Sequence, residues 1–194
     1  MLEKNKRNKQ NKHKQYKDVK LMFQDEASFG RISEPANCWA PPACRPSAPC
    51  QRIREYKPVY GAVSPADGES FFMVLEKCNS ENMSIYLKAL SERFADDLIL
   101  LCMDKASYHT SKLLIVPINI QCFFIPPRTP EMNPVELMWR EIRKRGFKNK
   151  VFASIAAVIE KFNEVIKELT KDVIKSITLW GWIDKILIMQ YHVV

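Results

Sequence analysis

Apolar residues recur along this chain in two rhythms, and the switches between them mark out its elements. Residues 19–24 form a short apolar run of β-compatible side chains, closed by Asp25 and Glu26 and followed by a turn signal over 28–30, which predicts a first strand. Residues 57–63 and 70–76 read as two further strands. The Pro65, Asp67, Gly68 turn between them would fold these into an antiparallel pair. Asn79 or Ser80 then stands where a helix N-cap would, and Ile85, Leu87, Leu90 and Phe94 follow with roughly helical spacing. Residues 98–103 are continuously apolar, the pattern of a strand covered on both faces. Residues 118–125 repeat it about twenty residues later, with room between for one short helix.

Pro126, Pro127, Pro130 and Pro134 enforce a rigid, non-helical connection, after which residues 135–145 have helix-forming composition, placing Glu136 in a first helical turn. Ile155, Val158, Ile159, Phe162, Val165, Ile166 and Leu169 keep a three-and-four spacing, so an amphipathic helix with a broad apolar stripe is expected there, and a second C-terminal helix over 171–189. Residues 36–51 carry Pro41, Pro42, Pro46 and Pro49 and should form a loop or a loose hairpin. The order of strands and helices argues for a mixed α/β sheet flanked by helices, with a C-terminal helical extension, rather than a bundle or a sandwich.

Composition narrows the class. At 194 residues with 46% hydrophobic content, the chain can build the core of one domain. Its apolar runs are far shorter than the roughly 20 residues of a membrane span, and its N-terminus lacks the pattern of a signal peptide, so a soluble, cytoplasmic protein with no membrane partner is expected. The six cysteines show no CxxC pair and read as reduced thiols; the even spacing of Cys38, Cys44 and Cys50 leaves open three thiolates near one metal, although zinc sites favour shorter intervals and a fourth ligand. The formal charge is +8, and residues 1–20 alone carry eight Lys or Arg against two acids, leaving a balance of only +2 for the rest. Such a basic tail, over 1–18, reads as a disordered solvated arm, as a contact for DNA phosphates, or as both.

Three carboxylates stand where elements end: Asp25 after the first strand, Asp104 after the apolar strand, and Glu136 at the start of a helix. Ligands collect at the carboxyl ends of strands in open α/β sheets. Three carboxylates brought together would repel one another without cations, and their oxygens suit Mg²⁺ or Mn²⁺. Two such ions about 4 Å apart can activate a water or a 3′-hydroxyl on one side of a phosphodiester and stabilise the departing oxygen on the other. Taken singly, each acid is equally readable as a turn or helix cap.

Three stretches decide between these readings. FQDEASFG at 23–30, CMDKASYHTS at 102–111 and PPRTPEMNPVELMW at 126–139 resemble the insertion-sequence transposases of the mariner superfamily, whose catalytic domain is a DDE-type endonuclease. The segment from Trp39 to the Gly61–Ala62 pair is also similar, so that the resemblance spans about residues 20–150. It implies an RNase H-like fold over 19–150, with the helices of 151–194 packed on the same domain, and it implies that Asp25, Asp104 and Glu136 hold two Mg²⁺ ions, for which Mn²⁺ can substitute. It further implies cleavage of DNA at transposon terminal repeats, joining to target DNA, a homodimer assembled on DNA, and a nucleoid-associated location.

The chain departs from the family pattern at Lys105, where relatives often have asparagine, and at Arg128, usually an aromatic residue. Each could contact DNA or be a solvated surface residue. His109 could position a phosphate or a water, or hydrogen-bond its own loop. Asn133 and Pro134 should shape the turn that presents Glu136, and Trp139 reads as a core residue. Relatives carry helix-turn-helix modules upstream, where this chain offers only about twenty polar residues, so a separately encoded DNA-binding half is among the expected partners. The rival expectations are an RNase H-like nuclease without strand transfer and a catalytically inactive or domesticated DNA-binding remnant.

Overall fold

The computed structural model describes residues 16–33, 35–127 and 129–185; residues 1–15 of the basic tail, together with Arg128, lie outside them. Five strands form one mixed sheet: β1 (Asp18–Ile32), β2 (Arg52–Val63), β3 (Ser70–Val74), β4 (Asp97–Met103) and β5 (Ile120–Phe124), in the order β3-β2-β1-β4-β5. β1 pairs antiparallel with β2 and parallel with β4; β2–β3 is antiparallel and β4–β5 parallel. Four helices accompany the sheet: α1 (Ser80–Arg93), α2 (Val135–Gly146), α3 (Ile155–Glu168) and α4 (Lys171–Thr178). This is the RNase H-like mixed sheet flanked by helices that the sequence predicts.

Alternation along the strands divides the core in two. On one face Phe23, Ala27, Phe29, Val59 and Val63 pack with Val135, Met138, Trp139 and Ile142 of α2 and with Val158, Phe162 and Val165 of α3. On the other, Met22, Tyr60, Ala62, Ile99 and Leu101 pack with Met83, Tyr86, Leu87 and Leu90 of α1. The Asn79 cap foreseen in the sequence accepts from Asn82 N ahead of α1, and Ser154, not foreseen, accepts from Ala157 N ahead of α3.

Four expectations require correction. β1 does not turn at 28–30 but runs on to Ile32, because Val59 to Lys57 pair with Ala27 to Phe29 and β2, beginning earlier than predicted, supplies Tyr56 and Arg52 for Gly30 and Ile32. Gly30, which signals a turn in the sequence, instead permits a close cross-strand approach: a Cβ there would lie 2.4 Å from the Glu55 carbonyl oxygen and 2.7 Å from Tyr56 Cβ, next to a bulge between Gly30 and Ile32. Between β4 and β5 the described residues form turns rather than a short helix, since the Asp104 and Ser111 side chains take the backbone N–H groups of Ala106 and Leu113. β5 is an edge strand and is not covered on both faces; Phe123 and Phe124 stay about two-fifths exposed. Finally, the helix expected over 171–189 stops at Thr178, whose Oγ1 donates to the Ile174 carbonyl, and Leu179 is extended. A new helical turn starts at Gly181 and sets Trp182 edge-on to Phe23, 6.1 Å between ring centroids; residues 186–194 lie outside the described part.

Phe162 joins the layers, with its ring 5.0 Å from Phe29 and 6.0 Å from Phe72. Phe162→Ala is therefore expected to cost about 3–5 kcal/mol and to lower the thermal midpoint by on the order of 10 °C, measured by circular dichroism.

Candidate active site

Asp25 lies in the middle of β1, not at its end. The parallel ladder with β4 closes at the pair Phe23 and Cys102. Two positions beyond that pair stand Asp25, within β1, and Asp104, the first residue past the end of β4. On its other side Asp25 pairs with Gly61. That glycine is required: a Cβ at Gly61 would fall 2.5 Å from Cη2 of Trp139 and 2.8 Å from Phe72. The indole therefore rests over the strand backbone, and its Nε1 donates a 2.9 Å hydrogen bond to Asp25 Oδ2. Trp139 is buried, as a core residue should be, yet it is also a direct partner of the first acid.

Glu136 is exposed in the first turn of α2. The turn before it is built by Asn133, which is buried: its Oδ1 accepts from Val135 N at 3.2 Å, and its Nδ2 donates to the Gln24 carbonyl at 2.9 Å. Pro134 adds a backbone already set at φ −66°. The start of α2 is thereby tied to β1 one residue from Asp25. Burial pushes the Asp25 carboxyl up from 3.8 to about 7, the nearby Glu136 charge raises it further toward that value, and the Trp139 hydrogen bond works against both.

Asp104 begins the connection after β4, and its side chain is 61% exposed. Its Oδ1 accepts from Ala106 N at 3.0 Å and meets His109 Nδ1 at 2.7 Å. His109 is buried, and its Nε2 lies 3.0 Å from Glu26 Oε1. Burial alone would lower the imidazole pKa; the hydrogen bond and charge of Glu26, with Asp104, outweigh it and raise it. Lys105 is exposed beside Asp104. Arg128 falls outside the described residues. The sequence reading missed Glu26, Tyr108 and the indole donor of Trp139. Two signals were present: the acid adjacent to Asp25, which alternation sends to the opposite face of the sheet, and a tryptophan one helical turn after Glu136.

The structure thus couples Asp25 to Glu136, and Asp104 follows the end of the neighbouring strand β4 with its Oδ1 turned to His109. Among the described residues no three His, Cys, Asp or Glu side chains crowd around a single point that could hold one ion. Cys38, Cys44, Cys50 and Cys78 are exposed free thiols, and Cys102 and Cys122 are free and partly buried.

Comparison with known proteins agrees with this architecture. The model of the DDE superfamily endonuclease family matches residues 20–159, most of the chain, and the chain belongs to that family. An uncharacterized protein of Sinorhizobium fredii, y4pE/y4sA, is 33% identical over 129 residues, covering 64% of this chain and 94% of its own. Among solved structures, the Mos1 transposase paired-end complex with left transposon end matches with a TM-score of 0.64 at 13% identity, covering 89% of this chain and 54% of the Mos1 chain. The Mos1 mariner paired-end complex with Mn matches with a TM-score of 0.63 at 12% identity, covering 90% and 56%. The chain spans about half the length of these transposase chains.

The electrostatics carry a consequence for stability. The folded value of Asp25 is raised, so the stability it contributes is fully present below about pH 4 and is lost as the pH rises through about 7. In chelator, the protein is expected to lose on the order of 4 kcal/mol across that window, read from urea unfolding at several pH values, and Asp25→Asn is expected to flatten that part of the profile.

Proposed function

We propose that this chain is the catalytic domain of a transposase that cleaves DNA at transposon ends and joins the freed 3′-hydroxyl to target DNA. The observation that carries the reading is Asp25, a largely buried carboxylate whose charged form is disfavoured by burial and by Glu136. Asp104 stands beside it at the mouth of the sheet. A divalent cation would offset that repulsion, and the donor set is all carboxylate oxygen, which fits Mg²⁺ with Mn²⁺ as substitute. Asp25, Asp104 and Glu136 are the residues that would hold such ions, two of them on this reading, although among the described residues no three such side chains surround a single point. When bound, such ions activate the attacking oxygen and stabilise the departing one.

The chain's own residues do the rest. Asp25 is held in place by the Trp139 indole, and Glu136 by the Asn133 turn. A groove of about 1260 Å³ runs from Glu136 along α2 and is lined by Arg140, Arg143, Lys144 and Lys148. The spacing of Arg140, Arg143 and Lys144 from Glu136 puts them on one helical face, with Lys148 just past the helix end, where they would take the phosphates of a DNA strand entering the site, helped by exposed Lys105. Arg143 lies 5.1 Å over the Phe29 ring, which steadies it in the groove. Recognition of terminal repeats would come from a helix-turn-helix module, with a second copy of the chain completing a dimer on DNA in the nucleoid.

Purified protein with Mn²⁺ is expected to convert supercoiled plasmid to nicked circles, and with oligonucleotide ends to give joined products. Asp25→Asn, Asp104→Asn and Glu136→Gln are each expected to fall to the no-enzyme background. Nicking that survives all three changes sinks the reading; nicking without joined products leaves a nuclease without strand transfer. Replacing Arg140 or Lys144 by Ala should weaken DNA binding regardless of sequence and reduce the log–log salt slope by about 0.7–0.9 per charge, measured by fluorescence anisotropy.

A further inference from the structure

Behind the candidate site, on the opposite face of the sheet, lies a polar network that none of the chemistry above uses. Glu26 follows Asp25 in β1, so its side chain points away from Trp139 and Glu136 toward the core beneath α1. Only 8% of it is exposed. A carboxylate buried among apolar side chains is costly unless it is well satisfied, and this one is. Oε1 accepts from Gln24 Nε2 at 2.9 Å and meets His109 Nε2 at 3.0 Å, and Oε2 accepts from the Tyr108 hydroxyl at 2.9 Å. Two consecutive residues of the connection after β4, Tyr108 and His109, are thereby fastened to the strand that carries Asp25.

The chain of contacts continues to the second acid. His109 Nδ1 lies 2.7 Å from Asp104 Oδ1 and 3.1 Å from the Asp104 carbonyl oxygen. Both ring nitrogens therefore face carboxylate oxygens. Asp104 needs such a support. It sits past the end of β4, exposed, on a segment with no regular structure, where a free aspartate would move among rotamers. With Oδ1 held by the imidazole and by Ala106 N, the carboxylate plane is set and Oδ2 is left without a partner among the described residues.

We propose that Glu26 is a positioning residue that, through His109, fixes the orientation of the Asp104 carboxylate as a ligand for a divalent cation. The inference rests on the reading of Asp104 as a ligand. The strand β1 then serves the site from both of its faces: Asp25 contributes directly, and Glu26 holds the neighbouring acid at the right distance from it. Partners of this kind orient a ligand before the ion arrives, and losing one typically costs about 10–100-fold in metal affinity or activity.

The test is Mn²⁺ binding by the DNA-free protein, followed by electron paramagnetic resonance, together with the Mn²⁺ concentration that gives half-maximal nicking. Glu26→Ala is expected to weaken Mn²⁺ binding about 10–100-fold and to raise the half-maximal concentration in step, while affinity for DNA is unchanged. Glu26→Gln, which keeps an oxygen for His109, should lie between that variant and the parent. His109→Asn should match Glu26→Ala, since the imidazole is the link, and it serves if Glu26→Ala does not fold. Tyr108→Phe removes a Glu26 contact without touching His109 and should bind Mn²⁺ as the parent does. Folded Glu26→Ala and His109→Asn proteins with the parent's Mn²⁺ affinity overturn the proposal, as does an equal loss in Tyr108→Phe, which would mean general loosening of the loop. If Asp104→Asn binds Mn²⁺ normally, the ligand reading itself fails; if it loses binding while Glu26→Ala does not, only the positioning role falls.

Discussion

The arrangement depends on one strand having two partners that run in opposite senses over different lengths. β1 is parallel to β4 from Asp18 to Phe23 and antiparallel to β2 from Phe23 onward. Phe23 is the one residue of β1 paired on both sides: before it the partner is β4 and after it β2, because the ladder with β4 ends where the ladder with β2 begins. The space that β4 vacates is where a ligand can approach the side of β1, and Asp25 is two residues into that stretch. Carboxyl ends of parallel strands collect ligands for this reason; here a continuing antiparallel pair gives the opening a wall as well.

Charge and packing set the acids against each other. Asp25 is half-buried beneath an indole, near Glu136, in surroundings that raise its pKa to about 7. Asp104 is exposed and engaged by an imidazole. One acid is thus the desolvated centre and the other the solvent-facing flank, although both descend from the same feature, an aspartate at the same level of adjacent strands. The difference comes from what lies above each: α2 with Trp139 over Asp25, and only a loop over Asp104.

Much of this was legible in the sequence, and the parts that were not share a cause. The apolar run of β4, the Asn79 cap and the stripe of α3 are local signals, each written within a few residues. The full length of β1 was hidden because Ser28–Phe29–Gly30 reads locally as a turn, while the constraint that keeps it extended lies in Lys57 and Tyr56 across the ladder. The exposure of Phe123 and Phe124 is likewise invisible in a hydrophobic run, since whether a strand is central or at the edge depends on the order of the whole sheet. The three acids of the proposed site were visible as a family motif. Their supports were not, because Gly61 under Trp139, and Glu26 behind His109, are contacts between residues far apart in sequence.

The double pairing of β1 also has a consequence for how the chain comes to be folded. Every residue of β4 that meets β1 lies 79 positions further along the chain, as in Phe23 with Cys102, whereas β1, β2 and β3 follow one another and need only short closures. Distant parallel pairing forms slowly because the loop must be closed before any contact rewards it. The three antiparallel strands can assemble as soon as they have left the ribosome, and during that interval the far edge of β1, apolar and rich in unpaired amides, is open to any strand that reaches it. A chain interrupted before Asp97 keeps that edge permanently, so truncated products of this gene would be the ones most prone to aggregate.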